Sequence, residues 1–309
     1  EIQDILDLGV ELRLNTPVES LDDLFADGFD AVLIAVGAHE GVRLGIPGSD
    51  LDGVLINTRF LRDVRLSEHG GVDGGEPVAD PRPFVDGKRV VVVGGGDVAI
   101  DVARTAVRLG AASVDMAVRG SSGRMPATDQ EIQGADEEGI AMHVGLNFLS
   151  VVDDGNGRVA GLECERVERF ETDADGRRQA IIEDGSEHII PADVLIFSVG
   201  QKAGLAFIPD DAGVGIDASR TIAVAPNTYA TDRAGVFAAG DSVSGTAFVI
   251  DAVAGGHDCA GAIERYLRGK EMDPGPQPKP PLAEIEQVEL EARLGRGEIA
   301  PAPRVPMPE

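Results

Sequence analysis

Apolar positions along this chain follow two rhythms. The first is the short unbroken run. Val90-Val91-Val92-Val93 is a stretch of β-branched residues with no polar interruption, the pattern of a strand buried on both faces. Asp30-Ala31-Val32-Leu33-Ile34-Ala35-Val36-Gly37 and Asp193-Val194-Leu195-Ile196-Phe197-Ser198-Val199-Gly200 form an internal repeat. Each reads Asp, four apolar residues, a small residue, Val, Gly. The second rhythm has the helical period. Ala99, Val102, Ala103, Ala106 and Val107 predict a helix over 98–109. Ala247, Val249, Ile250, Val253, Ala254, Ala260 and Ile263 predict another over 247–267. Ile2, Ile5 and Leu6 mark the end of a helix, and 21–26 a short helical turn. Strands are expected at 10–14 and as an antiparallel pair at 159–170 and 179–190, with a turn at Asp173-Ala174-Asp175-Gly176. Residues 65–83 are rich in Gly, Pro and acid, as a linker or exposed loop is. From Met272 the chain is Pro-rich, with one weakly amphipathic stretch at 285–294.

Chemistry enters where the valine run ends. Gly94-Gly95-Gly96-Asp97-Val98-Ala99 follows a buried strand and opens a helix, which is the G-x-G-x-x-A form of a dinucleotide-binding turn. Free N–H groups and the positive end of the helix dipole favour a pyrophosphate, and glycine lets it come close. Gly235-Val236-Phe237-Ala238-Ala239-Gly240-Asp241 is a second such constellation. Its short strand delivers a carboxylate at the strand's C-terminal edge, ahead of the 247–267 helix. Asp241 suits either a sugar hydroxyl or a helix N-cap. Gly213-Val214-Gly215-Ile216-Asp217-Ala218 has the glycine spacing without a preceding strand and reads as a turn.

The length, 309 residues, suits about two domains. The net charge of −27, with Lys only at 88, 202, 270 and 279, disfavours nucleic acid and anionic lipid. It fits either an acidic docking face or a heavily solvated surface of the salt-adapted kind. No apolar run reaches the ~20 residues of a membrane span. No N-terminal signal pattern is visible. Cys164 and Cys259 are too far apart in sequence for a C-x-x-C redox pair or a cluster held by this chain alone. A cytoplasmic protein is the expectation. His39, His69, His143, His188 and His257 show no metal-ligand spacing, so no metal site and no general base is assigned.

In combination, the motifs at 30–37, 94–101, Met125-Pro126-Ala127, Ser198-Val199-Gly200-Gln201 and 235–241 resemble the pyridine-nucleotide flavoproteins of the glutamate synthase small-subunit type. The resemblance covers roughly residues 1–270. It implies an α/β fold of two Rossmann-like dinucleotide-binding domains, an FAD domain split by an inserted NAD(P) domain. The corresponding boundaries are 1–64 and 201–270 for the FAD domain, 65–87 for a linker, 88–200 for the NAD(P) domain and 271–309 for a Pro-rich tail. It implies that Gly94, Gly95, Gly96 and Val98 cradle the nicotinamide coenzyme's pyrophosphate, and that Asp97 and Asp101 approach the nicotinamide. It places Gly37 and Gly200 at crossings between domains. Gly240 and Asp241 then meet the FAD ribityl chain, with Thr246, Ala247 and Phe248 under the flavin ring.

Two departures qualify the resemblance. The family's N-terminal G-x-G-x-x-G for the FAD diphosphate has no counterpart before residue 94, so the chain is expected to be a fragment that begins inside the FAD domain. The paired arginines that usually read the NADP 2′-phosphate are reduced to Arg119, followed by Gly120, Ser121 and Ser122, with Arg124 nearby. No carboxylate stands there for a free ribose, so NADP is preferred and NAD remains open. The implied function is hydride transfer from NAD(P)H to FAD. Electrons then pass to an electron-accepting subunit or iron–sulfur protein, any iron–sulfur cluster lying outside this chain. The alternative is a non-catalytic NAD(P)-binding or scaffold module.

Overall fold

The valine run forms the middle of a sheet because its side chains have two apolar layers to enter. Val90 and Val92 face one core cluster, Val91 and Val93 the other, and all four are fully buried. The computed structural model describes residues 2–68, 70–73, 76–78, 80–119, 125–172, 178–272 and 296.

In chain order the elements begin with α1 (Ile2–Leu6), α2 (Leu21–Ala26), β1 (Val32–Ile34), β2 (Glu40–Gly41), β3 (Val54–Ile56) and α3 (Asn57–Glu68). A hairpin of β4 (Val72–Asp73) and β5 (Glu76–Pro77) and helix α4 (Arg82–Val85) lead to β6 (Arg89–Val93), α5 (Asp97–Arg108) and β7 (Ser113–Arg119). Next come α6 (Asp129–Glu137), β8 (Ala141–Asp153), β9 (Val159–Thr172), β10 (Arg178–Ile182), β11 (His188–Pro191), β12 (Val194–Phe197) and β13 (Gln201–Lys202). The last are β14 (Val236–Ala238), α7 (Asp241–Ser244) and α8 (Val249–Leu267).

The main sheet runs β10-β9-β8-β7-β6-β12-β3, with β11 also paired to β9. Its β8-β7-β6-β12-β3 portion is parallel, and β9 turns antiparallel. Helices α3 and α5 cover one face through Phe60, Val64, Ile100, Val102 and Ala106. Leu162, Cys164 and Ile190 of the antiparallel strands cover the other. A separate parallel pair, β1 with β14, carries its own cores. Ile34, Val236 and Ala238 pack with Leu205, Ile208 and Ile222, and Phe237 packs with Cys259 and Ala262 of α8.

Both copies of the repeat become parallel strands, one in each of these bodies, and each ends at a glycine with positive φ, Gly37 at +70° and Gly200 at +127°. The segments just beyond them, β2 and β13, pair antiparallel, and Val42 N–H donates to Gly200 O at 3.0 Å. The two glycines thus stand where the chain leaves one body for the other, in both directions.

Several expectations change. Residues 10–14 are not a strand: Val10, Leu12 and Leu14 are exposed and find no ladder partner among the described residues. β1 is shorter than its apolar run. The division at 64/65 falls inside α3. β3 and α3 pack on the central sheet rather than with β1, because β3 extends the sheet beside β12 and α3 inserts Phe60 and Val64 into the core that holds Val90. The expected linker at 65–87 holds the end of α3, a hairpin and α4, whose Val85 is fully buried. The antiparallel segment expected at 179–190 is two strands, β10 and β11, both paired to β9. The turn at 173–176 lies outside the described residues, as does the amphipathic stretch at 285–294. The described residues up to Met272 form one compact unit; beyond it only Arg296 is described.

Candidate functional site

The turn after β6 is shaped by its neighbours. Gly94 has φ +144°, and a Cβ there would overlap the carbonyl oxygen of Ser198 at the end of β12. A Cβ on Gly95 would press on Val118 of β7. Gly96 differs: its φ is −88°, and a Cβ there would meet nothing within 4 Å among the described residues. Gly96 is the N-cap of α5 and has no side chain to bond the helix N–H groups. Ala99 and Ile100 donate to Gly96 O, while the N–H groups of Gly96, Asp97 and Val98 find no backbone acceptor among the described residues. The outcome is a helix N-terminus with an open approach, at the C-terminal edge of the sheet where β7 and β12 diverge on either side of β6.

Met125-Pro126-Ala127-Thr128 lies against this turn. Ala127 N–H donates to Gly95 O at 3.1 Å, and Thr128 N–H donates to Asp97 Oδ1 at 2.9 Å. Met125 and Ala127 are buried, so the strap is anchored by packing as well. Asp97 therefore bonds a distant backbone group through its side chain. Asp101 is exposed one turn further along α5. Partial desolvation, and then the Glu131 carboxylate, hold its carboxyl above the ordinary range. Arg119 ends β7, is exposed, and makes no ion pair among the described residues. Arg124, with Gly120, Ser121 and Ser122, lies outside the described residues.

Two polar groups at this edge, Ser198 and Asn57, have no role assigned to them by the sequence. In register, Val93, Phe197 and Ile56 lie in one row across β6, β12 and β3, so Gly94, Ser198 and Asn57 form the next. Ser198 Oγ and Asn57 Oδ1 are both buried without a hydrogen-bond partner. A polar residue directly after each apolar run was the available clue. An open groove of about 610 Å³ between α6 and β8 is a poorer candidate for a phosphate ligand. Asp129 and Asp136 are in its lining and no basic residue is.

The second constellation stands at the end of β14. Gly240 takes φ +71° and ψ −156°, a conformation open essentially to glycine alone. Gly240, not Asp241, is the N-cap of α7; Asp241 is its first residue and is part-exposed. Ser242 is fully buried and donates to Ala239 O at 3.0 Å. Thr246 and Ala247 are exposed, and Phe248, Val249 and Ile250 at the head of α8 are 66%, 82% and 70% exposed. His39 sits beside Gly37, its Nδ1 3.3 Å from Val36 O.

A parallel sheet with an open glycine turn, tied by a paired crossing to a second strand–turn–helix body, defines a two-part dinucleotide-fold architecture. The chain belongs to the pyridine nucleotide-disulphide oxidoreductase family, whose model matches residues 9–256. It is 39% identical over 273 residues to the NADP(+)-dependent formate dehydrogenase subunit beta of Moorella thermoacetica, covering 87% of this chain and 36% of that protein. It is 38% identical over 268 residues to the glutamate synthase [NADPH] small chain of Escherichia coli, covering 84% of this chain and 56% of that protein. The chain thus spans roughly a third to just over half of these relatives. Among solved structures it resembles Mycobacterium tuberculosis FprA in complex with NADPH, with a TM-score of 0.65 at 19% identity, over 91% of this chain and 74% of that one. The thioredoxin reductase of T. acidophilum shares the fold at a TM-score of 0.56 and 21% identity, over 77% and 66% of the two chains. Among the described residues no helix is long and apolar enough to cross a membrane.

Proposed function

We propose that this chain is the coenzyme-binding body of an NAD(P)H-dependent flavoprotein oxidoreductase whose electrons pass to a partner subunit or iron–sulfur protein. One observation carries the reading: the Gly94–Gly96 turn at the head of α5 is closed by neighbours at Gly94 and Gly95 and open at Gly96. That opening suits a pyrophosphate, which unpaired N–H groups and the helix dipole both favour. When bound, the nicotinamide and flavin supply the hydride chemistry themselves. The chain's part is to bind and orient. Gly94 and Gly95 would let the chain turn closely enough, and the N–H groups of Gly96 and Val98 would hold the diphosphate, the Gly94 N–H being given to Ala117 O. Arg119, exposed at the end of β7, would pair with a 2′-phosphate and so favour NADP over NAD.

The fit to FAD is partial. Gly240 and Asp241 suit the ribityl chain, and the exposed rim of Thr246, Ala247 and Phe248 suits the flat face of a ring. Among the described residues no second glycine turn of the Gly94–Gly96 kind receives the flavin's diphosphate. Added FAD is therefore expected to bind weakly. This favours, for the chain by itself, the second reading of an NAD(P)-binding module without turnover. Relatives named as a small chain and as β subunits support a partner. Two free buried thiols suit a reducing compartment such as the cytoplasm.

Calorimetry on the purified chain tests the reading. NADPH is expected to bind more tightly than NADH. Gly96→Val, which fills the open approach at a cost of about 1 kcal/mol in capping, is expected to abolish binding while the protein stays folded. Arg119→Ala is expected to lower the NADPH/NADH preference about tenfold. Unchanged NADPH affinity in Gly96→Val overturns the site. A yellow chain holding stoichiometric FAD excludes the module reading.

A further inference from the structure

Asp97 is the first residue of α5, where a carboxylate ordinarily serves the dipole of its own helix. Here it reaches across the chain. Its Oδ1 accepts the N–H of Thr128, 31 positions away, and the adjacent Ala127 N–H donates to Gly95 O. A planar trans peptide points its C=O and N–H in opposite directions. With Gly95 O drawn to the strap, the Gly96 N–H is turned away from it. Pro126 closes the same side: its Cδ lies 3.4 Å from where a Gly95 Cβ would stand.

We infer that Asp97 is a positioning residue that pins the Met125–Thr128 strap onto the glycine turn and thereby aims the Gly96 N–H at the coenzyme's pyrophosphate. This rests on the coenzyme reading above, and it gives Asp97 a different task from charge pairing with a nicotinamide. The two tasks separate at Asp97→Asn. An asparagine keeps an oxygen acceptor for the Thr128 N–H and loses the charge, whereas Asp97→Ala loses both.

The experiment measures NADPH and NADP⁺ affinity of the whole chain by calorimetry, with hydrogen exchange at the Ala127 and Thr128 amides. Loss of a charge-assisted hydrogen bond predicts binding about tenfold weaker in Asp97→Ala, equally for both redox forms. Asp97→Asn is expected within about twofold of wild type, since the acceptor survives. Both amides are expected to exchange slowly in wild type and Asp97→Asn, and fast in Asp97→Ala. Should Asp97→Ala melt, Thr128→Pro removes the donor instead: Thr128 has φ −68°, the value a proline ring imposes, and the same weakening is expected. Asp97→Asn as weak as Asp97→Ala, or a loss confined to NADP⁺, overturns the inference. So does a wild type that binds coenzyme while Asp97→Ala binds equally well. A wild type that binds neither coenzyme overturns the inference together with the coenzyme reading.

Discussion

After β6 the chain turns at Gly94, where an added Cβ would run into the Ser198 carbonyl; after β14 it turns at Gly240, where the nearest atom to an added Cβ is Ala252 Cβ at 3.8 Å. The first turn has a strand on each side of it, β7 and β12, and helices over it. The second follows a strand with one full ladder, to β1, and only a short antiparallel bridge from Ala230 to Phe237 on its other side, and its helix α8 opens with Phe248, Val249 and Ile250 in solvent. Leu33 and Phe29 beside it are 39% and 48% exposed. Similar local sequence therefore meets two environments. In one the turn is dictated by packing, and in the other by backbone conformation alone. Close-packed surroundings cannot yield to an extra atom, whereas a loosely covered turn suffers only the strain of its own dihedrals.

Glycine replacements should expose that contrast most strongly. Gly94→Ala is expected to destabilise the protein by on the order of 4 kcal/mol, since both φ and the Ser198 carbonyl oppose it. Gly240→Ala meets the dihedral penalty only, about 1–3 kcal/mol. Urea melts of the two variants measure the difference, and equal losses would erase the distinction between the turns.

The cysteines report on the two bodies separately. Cys164 lies in the core behind the central sheet and Cys259 in the core under α8; both are fully buried. Burial, helped at Cys164 by Glu163, pushes their thiols up to about 12 and about 11. Neither should react with an aromatic disulfide at pH 8 in the native protein. In urea below the main transition Cys259 is expected to be labelled first, because its body has the less covered sheet. Mass spectrometry of labelled peptides shows the order; simultaneous labelling would mean that both bodies open together.

The smallest expected effect concerns the first residue of each repeat. Asp193 pairs with Arg89 at 2.7 Å and also accepts the Arg89 N–H, joining β12 to β6. Asp30 makes no ion pair among the described residues. The Arg89 guanidinium, and then its backbone N–H, bring the Asp193 carboxyl from 3.8 down to about 2. A carboxyl lowered on folding stabilises above its unfolded value and loses that contribution as pH falls. The window here is about pH 4 down to about pH 2. The pair is substantially exposed, so Asp193→Asn should cost about 0.5–1 kcal/mol at neutral pH. Melts at pH 6 and pH 2.5 should show that gap shrinking in acid. A constant gap would mean that the charge contributes nothing.

Much of the local structure was legible in the residues. The valine run, the glycine turn, the 21–26 helix and the two long amphipathic helices follow from apolar spacing and turn chemistry over a few positions. Each copy of the repeat also reads as a strand followed by glycine, and both are strands, although β1 is only partly buried. What escaped was long-range. β3 joined the central sheet because β12, far along the chain, offered it an edge. Residues 10–14 alternate like a strand and find no edge among the described residues. The Asp97–Thr128 bond exists only once β6 and β7 lie side by side, and the row of Gly94, Ser198 and Asn57 only once β6, β12 and β3 do.

By itself the sequence determined the valine strand, the helices at 21–26, 98–109 and 247–267 to within a residue or two, and that a glycine turn heads α5. Those choices depend on side chains within a few residues of one another. Only the tertiary structure decided why Gly94 admits no side chain, why Gly96 is open and what Asp97 holds. Each depends on where remote parts of the chain come to lie: the Ser198 carbonyl against Gly94, the Thr128 N–H against Asp97, and no described atom near a Cβ at Gly96, just as Asp193 is brought to Arg89 from 104 positions away. Local pattern encodes the need for a hydrogen-bond or packing partner, and the register of the sheet selects which partner arrives.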